Sequence, residues 1–208
     1  MSISRRDVVE MLREENAQLK ARGEKLNARL TRYQQAFRAL ERMDETMRAM
    51  GTLLDLRKLI GDLLTLTLHA CDSENGSLLL LDDETNELVF TEVIGDTREQ
   101  LLDHRIDAGT GIVGHVIQTQ QAMLVSDVHK SSQWSSEVDE AIGFNTNALM
   151  CAPLFNSEKT YGAIEVINNK SSAEFDENDL AILRVSARFI SEALAEAEDI
   201  TLQEGEQL

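Results

Sequence analysis

A chain of 208 residues with 42% hydrophobic and 27% charged side chains is no disordered polymer; it suits one domain of about 150 residues plus an extension. The formal charge of −17 is unevenly spread, with 11 basic and 8 acidic side chains in residues 1–50 against 9 and 29 in the remainder, so the globular part repels phosphate backbones and nucleic acid is excluded as a partner. No apolar run approaches the roughly 20 residues of a membrane span, the N-terminal MSISRRDVVEMLREEN has no signal-peptide apolar core, and Cys71 and Cys151 form no CxxC or metal spacing, which predicts two buried thiols in a reducing cytoplasm.

Residues 5–50 contain no proline and one glycine, Gly23. Apolar side chains recur every seven residues at Leu12, Leu19, Leu26, Tyr33, Leu40, Met47 and Leu54, taken as d positions. The a positions are then Val9, Asn16, Gly23, Leu30, Phe37, Asp44 and Gly51, a less perfect stripe. A 3.5-residue repeat keeps one seam facing a partner, as in a left-handed coiled coil. Asn16 at an a position, and Glu15 at g opposite Lys20 at e, suit a parallel homodimer. The competing arrangement is a helix folded back on its own domain, and the dimer is the preferred expectation.

After Gly51 the stretch TLLDLRKLIGDLLTLTLHAC is helical and apolar on two sides, which predicts a helix between a sheet and another helix. NGSLLLLDDETNELVFTEVI reads as a hairpin, with strands over 76–82 and 87–94 about a turn at 83–86. HRIDAGTGIVGHVIQTQ gives a short strand, a glycine turn and a short helix; AMLVSDV a strand; SSEVDEAIGF a short helix; NALMCAPLFNS and KTYGAIEVINNK a second hairpin. Gly109, Gly111 and Gly114 have the G-x-G-x-x-G spacing. They follow the polar HRIDA in an antiparallel layout rather than a buried parallel strand, so they predict a helix-entry turn whose N–H groups can face a ligand. The closing helix starts after Phe175 with Asp176 as N-cap, and it too is apolar on two sides, leaving outer stripes of both terminal helices for a partner subunit.

This succession of elements, with NGSLLLLD, RIDAGTGIVGHVIQTQQAMLVSDV, VDEAIGFNTNALMCAPLF, YGAIEVINNK and FDENDLAIL in order, resembles the GAF domain family over about residues 52–197. The flavour is similar to GAF domains of cyclic-nucleotide phosphodiesterases and of bacterial tandem-GAF adenylyl cyclases. The resemblance implies an α+β GAF fold: a central antiparallel sheet of about six strands, terminal helices packed on one face, and here a long coiled-coil helix in front. The expected division is a coiled-coil helix over 1–50, the GAF domain over 51–200 and a polar tail over 201–208.

By the same resemblance, the ligand-binding positions fall on Ser77, Ile94, Ile112, Val113, Asp127, Phe144, Thr146 and Glu165. Short apolar side chains there can sandwich a flat ring while hydroxyls and helix-terminal N–H groups take polar edges. The family's Asn-Lys…Phe…Asp signature places its Asn on Asn168, its Phe on Phe175 and its Asp on Asp179. Lys170 stands one residue beyond the family's Lys position, which Asn169 occupies, and Leu180 stands where the family has Glu. In the family the Lys and Asp brace the strand–helix junction; here these residues read as structural, beside a pocket rather than inside it.

Other chemistry finds little support. Cys71 ends a helix and Cys151 lies in a strand, the wrong arrangement for a GAF-like methionine sulfoxide reductase. No Cys-His pair suits a bilin, and of four scattered histidines only His115 and His129 lie near the expected pocket. No metal site, paired catalytic carboxylates or Ser-His-Asp set appears. Trp134, the single tryptophan, reads as a lid or as cover for a short helix. The resulting expectation is a non-enzymatic, cytoplasmic, homodimeric signalling module that senses a small molecule, with a cyclic nucleotide as the candidate ligand, and acts in trans on a separate signalling effector protein. The alternative is a ligand-free GAF fold used for dimerisation or as an adaptor.

Overall fold

The computed structural model describes residues 5–47, 53–170 and 174–205. Helix α1 spans Arg5–Met47 and α2 Leu53–Ala70. Strands β1 (Ser73–Asp82) and β2 (Glu87–Ile94) form the first hairpin, followed by α3 (Arg98–Leu101), β3 (Arg105–Asp107), α4 (Gly111–Thr119) and β4 (Met123–Val125). A 3-10 turn over Val128–Lys130 and α5 (Glu137–Ile142) lead into the second hairpin, β5 (Leu149–Phe155) and β6 (Thr160–Asn169), and α6 (Glu177–Gly205) closes the fold. The expected strands and longer helices are all present; α3 and the 3-10 turn are too short to leave a periodic signal in the sequence.

The strands make one antiparallel sheet in the order β3-β2-β1-β6-β5-β4. Both faces are covered, which explains the unalternating LLLL of β1: Leu78 packs with the terminal helices and Leu79 with the opposite layer. On the helical face Leu63, Leu64 and Leu68 of α2 and Leu183 and Ile190 of α6 meet Leu78, Met150, Ile164 and Val166 of the sheet. Each such side chain contributes about 1.5–3 kcal/mol by leaving water. Between the two helices the buried Thr67 hydroxyl donates to Ser186 Oγ at 2.6 Å, satisfying both groups. The two-faced character of α2 and α6 arises because each touches the sheet and the other helix.

Part of α1 folds back on its own domain. It lies against α2 and reaches the start of α6, where the Tyr33 hydroxyl donates to Asp179 Oδ1 at 2.9 Å and Arg29 pairs with Asp179 and Asp176 at 3.0 and 2.7 Å. Tyr33, expected on the free d seam, is therefore partly buried against the helical core. Burial and the bond to Asp179 push its phenol above the ordinary value and keep it a donor. The remaining stripe is wet in a single chain: Leu12, Leu19, Leu26, Leu30 and Phe37 are exposed, Leu26 by 69%. Asn16 turns its amide to the Leu12 carbonyl of its own helix. Gly51 lies outside the described residues, as do the side chains of Leu40, Asp44, Met47 and Leu54. Helix α6 continues to Gly205, into the segment read as a polar tail; residues 206–208 are outside the described range.

The junction between β6 and α6 departs from the family's bracing pair. Lys170 Nζ pairs with Glu74, and its backbone N–H donates to the Asp72 carbonyl, so it does not reach Asp179. The one-residue displacement explains this, because neighbouring residues leave a strand on opposite sides. Asp179 instead caps α6: its Oδ2 accepts from Asp176 N at 2.9 Å while Asp176 Oδ1 accepts from Asp179 N at 3.1 Å. Phe175, 3% exposed, anchors the entry to α6 in the helical core.

Asp179 thus serves a cap, a phenol and a guanidinium at once. Asp179→Ala is expected to lower the unfolding free energy by about 2–4 kcal/mol, the cap and the stranded partners together. Asp179→Asn, which keeps an acceptor for the cap, is expected to fall between. Urea unfolding curves check this, and a loss for the alanine variant below about 0.5 kcal/mol would overturn the assignment.

Candidate functional site

The face of the sheet opposite α2 and α6 is not fully filled. The alternation of β1, β6 and β5 brings Asn75, Ser77, Glu165, Ile167 and Leu149 to one patch of this face, and the patch forms the floor of a cavity. Phe90 and Val93 of β2 and Ile94 at its end form one wall, with Thr97 and Leu101 beyond them. Thr110, Gly111, Ile112 and Val113 at the start of α4 form a second, and Val138, Asp139, Ile142, Phe144 and Thr146 of α5 and its following loop a third. Trp134 and Ser135 complete it; their segment passes over the first turn of α4, with Ser135 Cβ 3.8 Å from where a Gly111 Cβ would stand. The cavity volume is about 80 Å³, room for several waters.

Glu165 is the chemical centre of the floor. It is 8% exposed, and its Oε2 accepts a hydrogen bond from Ser77 Oγ at 3.0 Å across the β1–β6 pair. Burial pushes its carboxyl up to about 7, with the charge of Asp139 adding to the rise and the Ser77 bond opposing it. Cys151, the β5 partner of Glu165 in the sheet, is fully buried, and burial with the nearby carboxylate drives its thiol well above the usual range. That thiol is therefore inert as a nucleophile near neutral pH.

The loop after α5 is held by its own carboxylate. Asp139 Oδ2 accepts from Thr146 N at 2.7 Å and Oδ1 from Thr146 Oγ1 at 2.9 Å. Asn168, in a left-handed conformation at φ 50°, accepts through Oδ1 from Asn147 N and Ala148 N and donates through Nδ2 to the Asn145 carbonyl. The wall carrying Thr146 is thus clamped from two sides. At α4 the N-cap Thr110 makes no side-chain bond to the helix and the first turn holds no acidic residue, leaving N–H groups turned to the cavity without competition. Gly114 is required there, because a Cβ would stand 2.5 Å from the Gly109 carbonyl carbon.

Residues 55–194 match the GAF domain family. The chain belongs to that family. Over 153 residues it is 29% identical to a cGMP-specific 3',5'-cyclic phosphodiesterase of Drosophila mojavensis, an alignment covering 67% of this chain and 14% of that enzyme. The matched region is thus a small part of the phosphodiesterase. Among solved structures, the GAF domain of a phosphoenolpyruvate-protein phosphotransferase from Coxiella burnetii superimposes with a TM-score of 0.67 at 16% identity, over 79% of this chain and 95% of that one. A free methionine-R-sulfoxide reductase from Neisseria meningitidis superimposes with a TM-score of 0.64 at 18% identity, over 79% and 90%. These two likenesses establish the fold.

In this GAF domain, seven of the eight ligand-binding positions carried over from the family meet around one cavity: Ser77, Ile94, Ile112, Val113, Phe144, Thr146 and Glu165. Asp127 does not. Its carboxylate caps the 3-10 turn through His129 N and pairs with Lys130 at 2.7 Å, on the surface and away from the cavity lining. An Asp before a short turn is a sufficient local signal for capping, and here that local role prevails. Neither His115 nor His129 lines the cavity. Sequence reasoning missed Asn75 and Asp139. Asn75 precedes the glycine that opens the apolar run of β1, and Asp139 sits in a short acidic helix that reads as solvated, so neither has a periodic signal.

A buried carboxyl raised from 4.5 to about 7 makes stability depend on pH. Between these values the unfolded state is ionised and the folded state protonated, so stability falls as pH rises from about 4.5 to about 7, by about 3 kcal/mol. Glu165→Gln keeps an acceptor for Ser77 and removes the titration. Relative to the wild type the variant is expected to gain about that much stability between pH 4.5 and pH 8. Denaturant unfolding at both pH values tests it; a constant difference would show that Glu165 is not held protonated.

Proposed function

We propose that this GAF domain is a non-enzymatic regulatory sensor of a small molecule, that it dimerises through α1, and that it acts on a separate effector protein. The observation that carries the reading is the cavity: an apolar shell with a few converging polar groups, which is how ligand sites are built. A ligand-free adaptor would have no use for a buried carboxyl held at the cost of protonation. The cysteines support a non-catalytic role. Cys71 is buried in the helical core and Cys151 in the opposite layer, so the sheet separates them.

A cyclic nucleotide is the first ligand to try, since the phosphodiesterase relatives are named for cGMP. Its ring would lie among Phe90, Ile112 and Ile167, with its phosphate toward the start of α4. Calorimetric titration with cAMP, cGMP and cyclic di-GMP tests this. Saturable binding, weakened about tenfold by Thr146→Ala, is expected. No heat from folded protein would overturn the cyclic-nucleotide version.

The dimer reading rests on α1. Its exposed Leu12, Leu19 and Leu26 lie on the d stripe ahead of Tyr33, the d position that with Arg29 holds the helix to its own domain. A second copy in parallel would bury the stretch from Leu12 to Leu26 and leave the Asp179 contact intact. The double variant Leu19→Glu/Leu26→Glu is expected to sediment as a monomer with an unchanged thermal transition of the globular part. A wild-type chain that is monomeric at tens of micromolar would overturn the proposal.

A further inference from the structure

We propose that the cavity takes a flat ligand with a forked edge of N–H donors (an amidine, a guanidine or an amino-substituted heterocycle) that pairs with the carboxylate of Glu165. The inference rests on the sensor reading and names the chemistry of its ligand.

With Glu165 ionised, the unmatched groups of the floor are acceptors. Glu165 Oε2 is bonded to Ser77, and Oε1 has no hydrogen bond among the described residues. Asn75, on the same face of β1 two residues from Ser77, has a buried Oδ1 with no partner, the sole such side-chain atom among the described residues. Both residues line the cavity, but Asn75 Oδ1 is packed against Gly95, so Glu165 Oε1 is the acceptor open to a ligand. A buried acceptor left unbonded is costly, and a ligand that donates to it recovers the loss. An acceptor edge in the same place would leave it unbonded and add repulsion.

The electrostatics favour the same ligand. The groups facing Glu165 are Ser77 from β1, Cys151 from β5 and Asp139 from the α5 wall, with apolar Ile112 and Val113 from α4. Asp139 already accepts two bonds from Thr146, so in the cavity it acts chiefly through its charge. No Lys, Arg or His is among the described lining residues. The cavity therefore supplies no cation to ionise Glu165. A donor fork supplies what is missing: it donates to both carboxylate oxygens, as guanidinium groups do, with Oε2 accepting from Ser77 as well. The proton leaves Glu165 for solvent, and Phe90, Leu149 and Ile167 cover the ring.

The probes are benzamidine, whose amidinium stays charged throughout the range used, acetophenone, which has the ring and only an acceptor, and benzoate. The indole N–H of Trp134, the single tryptophan and a cavity residue, reports occupancy by NMR. Benzamidine is expected to shift it saturably at pH 8.5 and to bind about thirtyfold more weakly at pH 5.5, from a carboxyl titrating near 7. Glu165→Gln is expected to reduce the affinity at pH 8.5 and abolish the pH dependence. Its unfolding curves show independently whether it is folded. Acetophenone is expected to bind more weakly and without pH dependence, and benzoate most weakly. If acetophenone or benzoate moves Trp134 at least as well as benzamidine, or if benzamidine ignores pH or the variant, the donor-fork inference falls while the small-molecule cavity stands. If none of the three moves Trp134, both fall.

Discussion

The antiparallel pairing of β1 with β6 at the middle of the sheet is the constraint on which the rest depends. It sets Ser77 opposite Glu165 and Leu78 opposite Ile164. Because strand side chains alternate, one register sends Leu78, Ile164 and Val166 to the terminal helices and Ser77, Glu165 and Ile167 to the other face. A slip of one residue would put the carboxylate into the densest part of the helical core and the leucine into the cavity. Glu165 is tolerable because it has a hydroxyl donor, a way to become neutral and a cavity beside it.

The end of β6 connects that floor to the helices. Asn168 leaves the strand with positive φ and grips residues 145–148, the segment that carries Thr146. Its neighbour Asn169 points the other way and donates to the Cys71 carbonyl at the end of α2. Asp179, a few residues on, carries the contact to α1, and the Cys71 thiol lies against its carbonyl oxygen at 3.7 Å. Hydrogen bonds therefore connect the Thr146 segment, through neighbouring residues of β6, to the end of α2. Whatever binds in the cavity can bias the helices only if it binds the two wall positions with different affinity.

The elements that repeat a pattern were legible in the sequence. The LLLL run of β1, the hairpin turn at 83–86 and the three-four spacing of α6 each predict what the structure contains. Most of the cavity was legible too, through family positions that lie at strand ends and helix starts. The places where the fold departs from the pattern share a physical form. Asp127 is a good turn-capping residue, and the local bond to His129 N took it away from the site. Lys170, whose one-residue offset is visible in the sequence, pairs with Glu74. Tyr33 belongs to a seven-residue repeat, yet Asp179 from 146 residues away claims its hydroxyl. Asn75 and Asp139 matter through what faces them across the fold, and a single chain read in order does not show facing groups.

Charge ties the globular part to its cavity. Residues 51–208 carry 9 basic and 29 acidic side chains, and at physiological salt that field decays over about 8 Å from the surface. It therefore acts on approach rather than on a bound ligand, drawing cations toward the mouth and slowing anions. Inside, the relevant charges are few: Glu165 when ionised, and Asp139 beyond it. Both fields have the same sign, so a cationic donor-bearing ligand is favoured first by long-range attraction and then by direct bonds. An anionic ligand would gain only at the start of α4, where uncapped N–H groups face the cavity. The two ends of the cavity thus ask for opposite polarity, donors at the β1–β6 floor and acceptors at the helix. A molecule that presents both, with a flat apolar middle, uses the whole site.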